Sequence, residues 1–254
     1  MNPNIAIAIL LITFVLLIMI KCPITFSMII STAFTMLYIQ VPVMTLVQQM
    51  SKQLNSFSLL AIPFFILMGE IMAAGGISSR LLAFANVCVG QITGGLAHVN
   101  VLASMLFGGI SGSAIADVSS LGALEIPMME EAGYEKDFSI AVTVASSCQG
   151  LIIPPSHNMV LYSMVAGGVS VGSLFCAGYI PGIMLGVFIM GMCYIISKKK
   201  HYPKGKKLPF KEALRVTKDT FFAMLAMVII IGGVSAGFFT ATESAAVACI
   251  YCLF

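Results

Sequence analysis

Long apolar segments dominate the pattern of hydrophobic and polar positions along the chain. They cover residues 5–20, 24–47, 57–77, 81–110, 138–153, 158–196 and 220–254. A helix needs about 20 residues to cross the hydrocarbon core of a bilayer, so several of these segments are long enough to do so. The pattern predicts an all-α, polytopic membrane protein. Residues 5–20 lack the basic start and the small-residue cleavage site of a signal peptide, so we expect them to remain as a first helix.

Polar residues interrupt this pattern at residues 107–120, which read FGGISGSAIADVSS. Irregular polar backbone is tolerated at membrane depth only where protein or a water-filled cavity surrounds it. Helical arms over residues 99–110 and 115–128 would rise about 18 Å and about 20 Å, which reaches mid-membrane without crossing it. We therefore predict a re-entrant helical hairpin over residues 98–130, with its tip near the midplane.

The tip of this hairpin carries groups that suit a cation. Gly108, Gly109 and Gly112 allow the backbone to turn and to approach an ion closely. Ser111 and Ser113 offer hydroxyl oxygens and carbonyl oxygens beside that turn. The sequence therefore predicts a cation site at the tip.

Several titratable residues lie in or beside apolar segments, and their roles stay open at this level. Asp117 follows the tip by one turn, where it can coordinate a cation, transfer a proton, cap the second arm or form an internal hydrogen bond. His157 can bind substrate, carry a proton or form a structural hydrogen bond. Glu70 and Glu243 can each pair with a backbone group or with a neighbouring helix.

A second interruption lies at residues 146–158, which read SSCQGLIIPPSHN. Two adjacent prolines cannot continue a helix, so residues 138–168 are predicted to form a broken helix. The carbonyls of residues 148–153 lose their helical partners, and a cation is one group that can satisfy them. Pro155 suits the first turn of a new half-helix, whose amides would favour an anionic substrate group. A kink needed only for packing is the alternative interpretation.

Composition and charge support the membrane interpretation. Hydrophobic residues make up 59% of the chain and charged residues 9%, a balance that excludes an ordinary soluble domain. Nine of the 13 Lys and Arg residues lie in the segment 197–218, which the positive-inside rule predicts to be cytoplasmic. Counting back through two crossings places the acidic turn 130–137 on the same side. The side of the N-terminus depends on whether residues 81–96 cross the membrane, and both arrangements stay open.

Charge and cysteine placement also exclude some partners and cofactors. A basic loop of this kind fixes topology and contacts anionic lipid headgroups, and its charge alone gives no argument for nucleic-acid binding. The seven cysteines are scattered through apolar segments without the spacing of a zinc site or a disulfide framework. We expect them to fill the core, and we expect no transition metal.

Four motifs together resemble one known family over nearly the whole chain. They are SFSLLAIPFFILMGEIM with AGGIS (56–78), GGISGSAIADVSSLGALEIPMM (108–129), IIPPSHN (152–158) and FTATESAAVA (239–248). These segments are similar to the large membrane subunit, of the DctM type, of tripartite ATP-independent periplasmic (TRAP) transporters.

The resemblance implies a function and a set of partners. It implies a permease of the bacterial inner membrane and not an enzyme, with sodium-driven symport of an organic acid such as a dicarboxylate, a sugar acid or a sialic-acid-like compound. A soluble periplasmic binding protein would deliver the substrate, and a small four-helix membrane subunit would complete the permease. Sodium is the coupling ion, and no other cofactor is implied. Which acid is carried cannot be read from the chain.

The resemblance also assigns candidate site residues by motif. A sodium site falls on the hairpin tip and on the backbone of the broken helix: Ser111, Gly112, Ser113, Gly150, Ile153, Pro154 and Pro155. Residues that could be linked to the ion or to the substrate are Asp117, Ser156, His157 and Asn158.

The family fold contains two inverted repeats, each with a hairpin and a broken helix. This chain ends inside an apolar segment, so we expect it to hold the first repeat and only the start of the second. The predicted parts are scaffold helices (1–80), a transport part (81–196), a basic connector with an amphipathic stretch at 209–218 (197–218) and an incomplete second repeat (219–254). We expect such a truncated chain not to transport by itself, and a separate chain could complete it.

Three other classes compete with this interpretation. The first is an inactive or structural fragment of such a transporter. The second is an intramembrane serine protease, because GISG at residues 109–112 fits a nucleophile motif in which Ser111 would attack and His157 would act as base. The third is a channel, which would need a continuous polar face along a helix, and none of the apolar segments shows one.

Overall fold

The computed structural model describes residues 2–167, 169–205 and 209–253. The last residue of the predicted broken helix, Gly168, lies outside the described residues. So do Lys206 and Lys207 of the basic connector, and both ends of the chain.

The described residues form thirteen α-helices and two short 3-10 helices, with no β-strand among them. The all-α class is therefore confirmed. The α-helices are α1 Pro3–Met19, α2 Ile24–Tyr38, α3 Met44–Leu54, α4 Ala61–Ala74, α5 Ile77–Val89, α6 Gly95–Ser111, α7 Ala114–Ser120, α8 Gly122–Glu131, α9 Lys136–Ser147, α10 His157–Ala166, α11 Val171–Lys199, α12 Phe210–Ser235 and α13 Ala241–Cys252. The 3-10 helices are Phe57–Leu60 and Cys148–Leu151.

The chain divides into two compact units after Ser56. In the first unit α1 packs against α2, and every described residue of α1 keeps part of its surface exposed. Ser27 and Ser31 are the buried residues of α2, and they lie one turn apart. Their hydroxyls donate to carbonyls of their own helix region, at 3.2 Å to Pro23 and 3.1 Å to Met28. Small residues of this kind let apolar helices approach closely.

The second unit is built around α6, in which 13 of 17 residues are buried. This helix contacts α4, α5, α9, α11 and α12. Large apolar side chains fill the core beside it, including Phe65, Phe107 and Ile230. The first arm of the predicted hairpin is therefore the central helix of its unit.

Three loops meet at one end of the second unit, and we call residues 90–94, 132–136 and 200–205 the loop clamp. Glu135 forms an ion pair with Lys200, and its N–H donates to the Tyr202 hydroxyl at 3.3 Å. The rings of Tyr134 and Tyr202 lie 4.4 Å apart between centroids. The third loop joins through Gly94, whose N–H donates to the Pro203 carbonyl at 3.2 Å.

The environment of the loop clamp shifts the ionisation of two of its groups. Burial raises the pKa of Tyr134 to about 12. The hydrogen bond to Glu135 raises the pKa of Lys200. The basic loop and the acidic turn thus lie together, as counting of crossings predicted, and the side of the membrane stays a prediction.

Both arms of the hairpin start from the loop clamp. α6 begins at Gly95 and α8 ends at Glu131, while α7 and α8 are joined through Leu121 in helical conformation. The arms rise about 25 Å and about 27 Å at 1.5 Å per residue, against about 43 Å for the 29 residues of α11. They are longer than predicted because α6 starts earlier, and α8 ends later, than the apolar pattern indicated. The membrane depth of the tip stays a prediction.

The apolar segment 220–254 contains two helices, because α12 ends at Ser235 and α13 starts after a turn with Gly237 at φ 74°. The amphipathic stretch 209–218 leads directly into α12, which runs unbroken from Phe210. One prediction is wrong: Pro155 does not lie in the first turn of α10, because Ser156 precedes that helix as its N-cap.

The side chain of Glu243 caps the start of α13. Its carboxylate accepts from the N–H and the hydroxyl of Thr240, both at 2.8 Å, while its own N–H donates to that hydroxyl at 3.3 Å. This is a capping box, so Glu243 pairs with local backbone.

Two helical segments of the described chain are long and apolar enough to cross a bilayer. They are Phe57–Ala74, with 18 residues, and Val171–Lys199, with 29 residues. Six further apolar helices have between 10 and 17 residues.

Candidate functional site

The hairpin and the broken helix touch through their main chains. A Cβ atom on Gly108 of α6 would lie 2.3 Å from the Cα of Gly150, and a Cβ on Gly150 would lie 2.8 Å from the Cα of Gly108. No residue other than glycine fits at either position without movement of the backbone. The first arm therefore packs directly against the 3-10 turn that follows α9.

The tip of the hairpin rests on the start of α10. α6 ends at Ser111, and its C-cap is Gly112, whose φ of 61° lies in the left-handed region and whose N–H donates to the Gly108 carbonyl at 2.8 Å. A Cβ at this position would lie 3.1 Å from both the His157 nitrogen and the Ser156 Cα. Gly112 is needed both for its backbone angle and for this contact.

The two serines of the tip form local hydrogen bonds. Ser113 is the N-cap of α7, because its hydroxyl accepts from the Ala116 N–H at 3.3 Å. The Ser111 hydroxyl accepts from the Ser113 N–H at 3.3 Å and donates to the Ser113 carbonyl at 3.4 Å. The capping role considered for Asp117 is therefore wrong, since Ser113 fills it.

The break has fewer unpaired carbonyls than the sequence predicted. The Gln149 carbonyl accepts from the N–H groups of Ile152 and Ile153, at 2.9 Å and 2.8 Å, and the Leu151 carbonyl accepts from the Ser156 hydroxyl at 3.0 Å. The carbonyls of Gly150, Ile153, Pro154 and Pro155, which belong to the predicted site, accept no hydrogen bond from the described residues. The Ile152 carbonyl accepts none either, and it lies against α11, where a Cβ on Gly178 would be 2.5 Å from its oxygen. A Cβ on Gly109 would lie 3.3 Å from the Pro154 oxygen, which places that oxygen against the hairpin.

A cavity of about 330 Å³ lies beside the tip, between α4 and the hairpin. Its polar lining combines Glu70 of α4 and His157 of α10 with the hydroxyls of the hairpin, Ser111, Ser113, Ser119 and Ser120. The volume suits a small organic molecule. Glu70 thus faces the candidate site, whereas Ser156 is buried with its hydroxyl bonded to Leu151, and Asn158 is exposed and outside the cavity lining.

Sequence reasoning missed a set of polar residues buried beside the hairpin. Asn100 of α6 donates to the Thr143 hydroxyl at 2.7 Å and accepts from the Ser146 hydroxyl at 2.8 Å. The hydroxyls of Ser104 and Ser146 are 3.1 Å apart. We call Asn100, Ser104, Thr143 and Ser146 the polar seam. The sequence pattern that could have predicted the polar seam is a spacing of three or four residues between polar positions on α6 and on α9. This spacing places the side chains on one face of each helix.

Two buried carboxylates flank the polar seam on the second arm. Asp117 is 1% exposed and Glu125 is 3% exposed, and neither has a hydrogen-bond partner among the described residues. The sequence drew attention to Asp117 only. The burial of Glu125 was not predicted, because this residue follows a polar stretch and lies near the predicted end of the second arm.

The geometry gives no support to a serine protease. The hydrogen bonds of the Ser111 hydroxyl both go to the main chain of Ser113. A nucleophilic serine instead needs a base within hydrogen-bond reach. The Nδ1 atom of His157 is buried and has no partner within the described part of the chain.

The sequence matches the family model described as the DctM component of tripartite ATP-independent periplasmic transporters, over residues 11–254. It is 42% identical to the protein named YgiK of Salmonella typhimurium, across 95% of this chain and 56% of that protein. It is 44% identical to the sialic acid TRAP transporter large permease protein SiaM of Vibrio cholerae, across 91% of this chain and 54% of that protein. A C4-dicarboxylate TRAP transporter large permease protein, DctM of Pseudomonas aeruginosa, is 44% identical across 78% of this chain and 46% of that protein.

The chain spans about half the length of these curated relatives. The family match covers nearly all of it, and it includes the hairpin, the break and the cavity between α4 and α10. The chain therefore belongs to the DctM component family of tripartite ATP-independent periplasmic transporters, which are membrane transport proteins and not enzymes.

Proposed function

We propose that this chain provides the first ion site of a TRAP large permease, and that the complete permease takes up an organic acid together with sodium. One observation carries the proposal. The hairpin tip lies against a break whose carbonyls at Gly150, Ile153, Pro154 and Pro155 accept no hydrogen bond from the described residues. Unwound backbone of this kind coordinates coupling ions in secondary transporters.

The sodium site in this proposal uses oxygen atoms from both segments. Ser111 and Ser113 would contribute hydroxyl or carbonyl oxygens, Gly112 would let the backbone approach, and the four carbonyls of the break would complete the shell. The cavity beside the tip would receive the substrate. The serine hydroxyls of the cavity and His157 suit a carboxylate, whereas the carboxylate of Glu70 in the same lining would repel one.

The names of the relatives support an organic acid as the substrate. Two of them are named for sialic acid and for C4-dicarboxylates, and both kinds of compound are organic acids. We propose delivery by a periplasmic binding protein and assembly with a small four-helix membrane subunit, as in the family. The site of action would be the bacterial inner membrane, with the loop 197–218 in the cytoplasm.

The sodium site is tested by binding to the purified chain. Sodium at 100 times its dissociation constant stabilises a folded protein by about 2.7 kcal/mol, so the unfolding midpoint should rise with NaCl and not with choline chloride at equal ionic strength. Ser111→Ala should weaken sodium binding by about tenfold or more, since a lost ligand of about 1.4 kcal/mol is tenfold in affinity.

Ser79→Ala is the matched control. Its hydroxyl is exposed and bonds only to the Gly76 carbonyl at 2.7 Å, far in sequence from the tip. The control should bind sodium like the parent chain. A chain whose unfolding midpoint responds equally to sodium and choline would contradict the sodium site and would favour the structural fragment.

A further inference from the structure

The second arm of the hairpin, formed by α7 and α8, buries two carboxylates against a polar interior. Asp117, Leu121 and Glu125 follow one another at intervals of four residues and share the buried face of this arm. α6 and α9 pack against that face and contribute the polar seam. Asp117 faces the Ser104 hydroxyl, although no hydrogen bond of normal geometry joins them.

All four carboxylate oxygens of Asp117 and Glu125 are buried without a partner among the described residues. An isolated ionised carboxylate in a protein interior costs several kcal/mol even after relaxation of its surroundings. Two ionised groups on one face would also repel each other. The Asp117 N–H donates to the carbonyl of Ser113, a residue of the proposed sodium site, at 3.1 Å, so the charge of Asp117 belongs to that site. Glu125 lies two helical turns further along the arm, and it needs a positively charged ligand of its own.

The neighbouring side chains do not provide that charge. On α6, His98 bonds through Nδ1 to the Gly94 carbonyl at 3.0 Å and presents its ring to Tyr194 of α11. The charged residues of α9 and the remaining carboxylates of α8 are all exposed, as is the thiol of the 3-10 turn; they are Lys136, Asp137, Glu130, Glu131 and Cys148. The ion pair found in the described residues joins Lys200 to Glu135 in the loop clamp.

The polar seam favours a proton over a metal ion. The Asn100 amide oxygen already accepts from Ser146, and the Thr143 hydroxyl already accepts from Asn100 and donates to the Ser139 carbonyl at 2.9 Å. The helices are also close together, since a Cβ on Gly122 would lie 3.0 Å from the Thr143 side chain. A proton needs no coordination shell and no additional space.

We propose that Glu125 is a proton-binding site: it carries a proton at neutral pH while the second arm packs against α6 and α9. Where this carboxyl group meets water, the O–H bond breaks, the proton passes to water and a solvated carboxylate remains. Glu125 lies outside the proposed sodium site, so the proposal does not depend on that site.

Infrared spectroscopy of the purified chain at pH 7 tests the proposal. A protonated carboxyl group has a carbonyl stretching band separate from that of a carboxylate, and this band shifts in deuterium oxide. We expect the band in the parent chain and a reduced band in Glu125→Gln. Glu130→Gln, an exposed position on the same helix as Glu125, should leave the band unchanged.

Carbon-13 NMR of the parent chain provides a second test that needs no variant, so it applies even if a substituted chain does not fold. With labelled glutamate side-chain carboxyls, one glutamate should show the chemical shift of the protonated form at pH 7. Ionised shifts for all glutamates would overturn the proposal. Loss of the infrared band on addition of NaCl would also overturn it, because sodium would then occupy the seam.

Discussion

Gly112 ties the backbone angle of the hairpin tip to its contact with the broken helix. Its φ of 61° ends α6, and the space that a side chain would need is taken by Ser156 and His157. The backbone angle and the close contact are both required at Gly112. A substitution of Gly112 therefore tests the packing of the tip on α10 more directly than the removal of a serine hydroxyl does.

We expect Gly112→Ala to destabilise the fold more than Gly133→Ala. Gly133 also has a positive φ, at 90°, but nothing lies within 4 Å of a Cβ placed there. The left-handed conformation alone costs a non-glycine residue about 1–2 kcal/mol, so Gly133→Ala measures the strain and Gly112→Ala measures strain plus contact. The measurement is the free energy of unfolding in detergent. Equal losses would show that the tip does not rest on α10.

At the residue scale, the sequence predicted those site residues whose type allows few chemical roles. The motifs at 108–113 and 150–158 were predicted to contribute to one site, and the structure brings Gly108 to Gly150 and Gly112 to Ser156 and His157. Sequence reasoning failed for Asn100 and Glu125, because single polar residues within helices show their burial only after the helices are packed. The cation role of the tip residues stays a prediction.

At the scale of elements, the loop clamp fixes the root of the hairpin. Tyr202 packs its ring on Tyr134 and on Phe138, at 4.4 Å and 5.3 Å between centroids, and it accepts from the Glu135 N–H. These contacts connect the end of α8 to the end of α11.

We expect Tyr202→Phe to lower the free energy of unfolding by about 1 kcal/mol, since it removes one hydrogen bond and keeps the ring. Tyr202→Ala should cost about 3–5 kcal/mol, as for other large aromatic side chains in a core. Tyr162→Phe and Tyr162→Ala are the matched controls, because Tyr162 is 61% exposed. If thermal unfolding responds equally at both positions, the loop clamp does not hold the hairpin root.

Helix boundaries were predicted less well than helix existence. The sequence placed the boundary between residue 96 and the start of the hairpin at residue 98, whereas α5 ends at Val89 and α6 starts at Gly95. The turn between these helices contains Gly and Thr without proline or a charge, so its position is not marked in the sequence. The two prolines at 154–155 did predict the break, since proline cannot continue a helix. They could not predict that α10 starts only after Ser156.

At the scale of the molecule, the second unit has two distinct ends. One is the loop clamp. The other brings together Phe57, Ser170, Val234 and Thr240, which line a common cavity. α11 runs from the second end to the first over about 43 Å, whereas the hairpin leaves and returns to the loop clamp. The predicted division at residues 80, 196 and 218 stays a prediction.

Cysteine labelling in the membrane should distinguish the two ends. In a chain whose exposed native cysteines, Cys88, Cys148 and Cys176, are replaced by serine, we expect Glu131→Cys and Lys204→Cys to react with an impermeant reagent from one side. Phe238→Cys, at the other end and 80% exposed in the parent, should react from the opposite side. Reaction of Glu131→Cys and Lys204→Cys from opposite sides would contradict the hairpin topology.

The contact between Gly108 and Gly150 also limits how this protein can vary. A side chain at either position meets main-chain atoms of the other segment, and every amino acid carries those atoms. A tight contact between side chains can be relieved by a smaller partner, but no substitution at the second position makes room for a larger residue at the first. The two positions therefore cannot compensate for each other, and a suppressor of Gly108→Ala would have to move a helix.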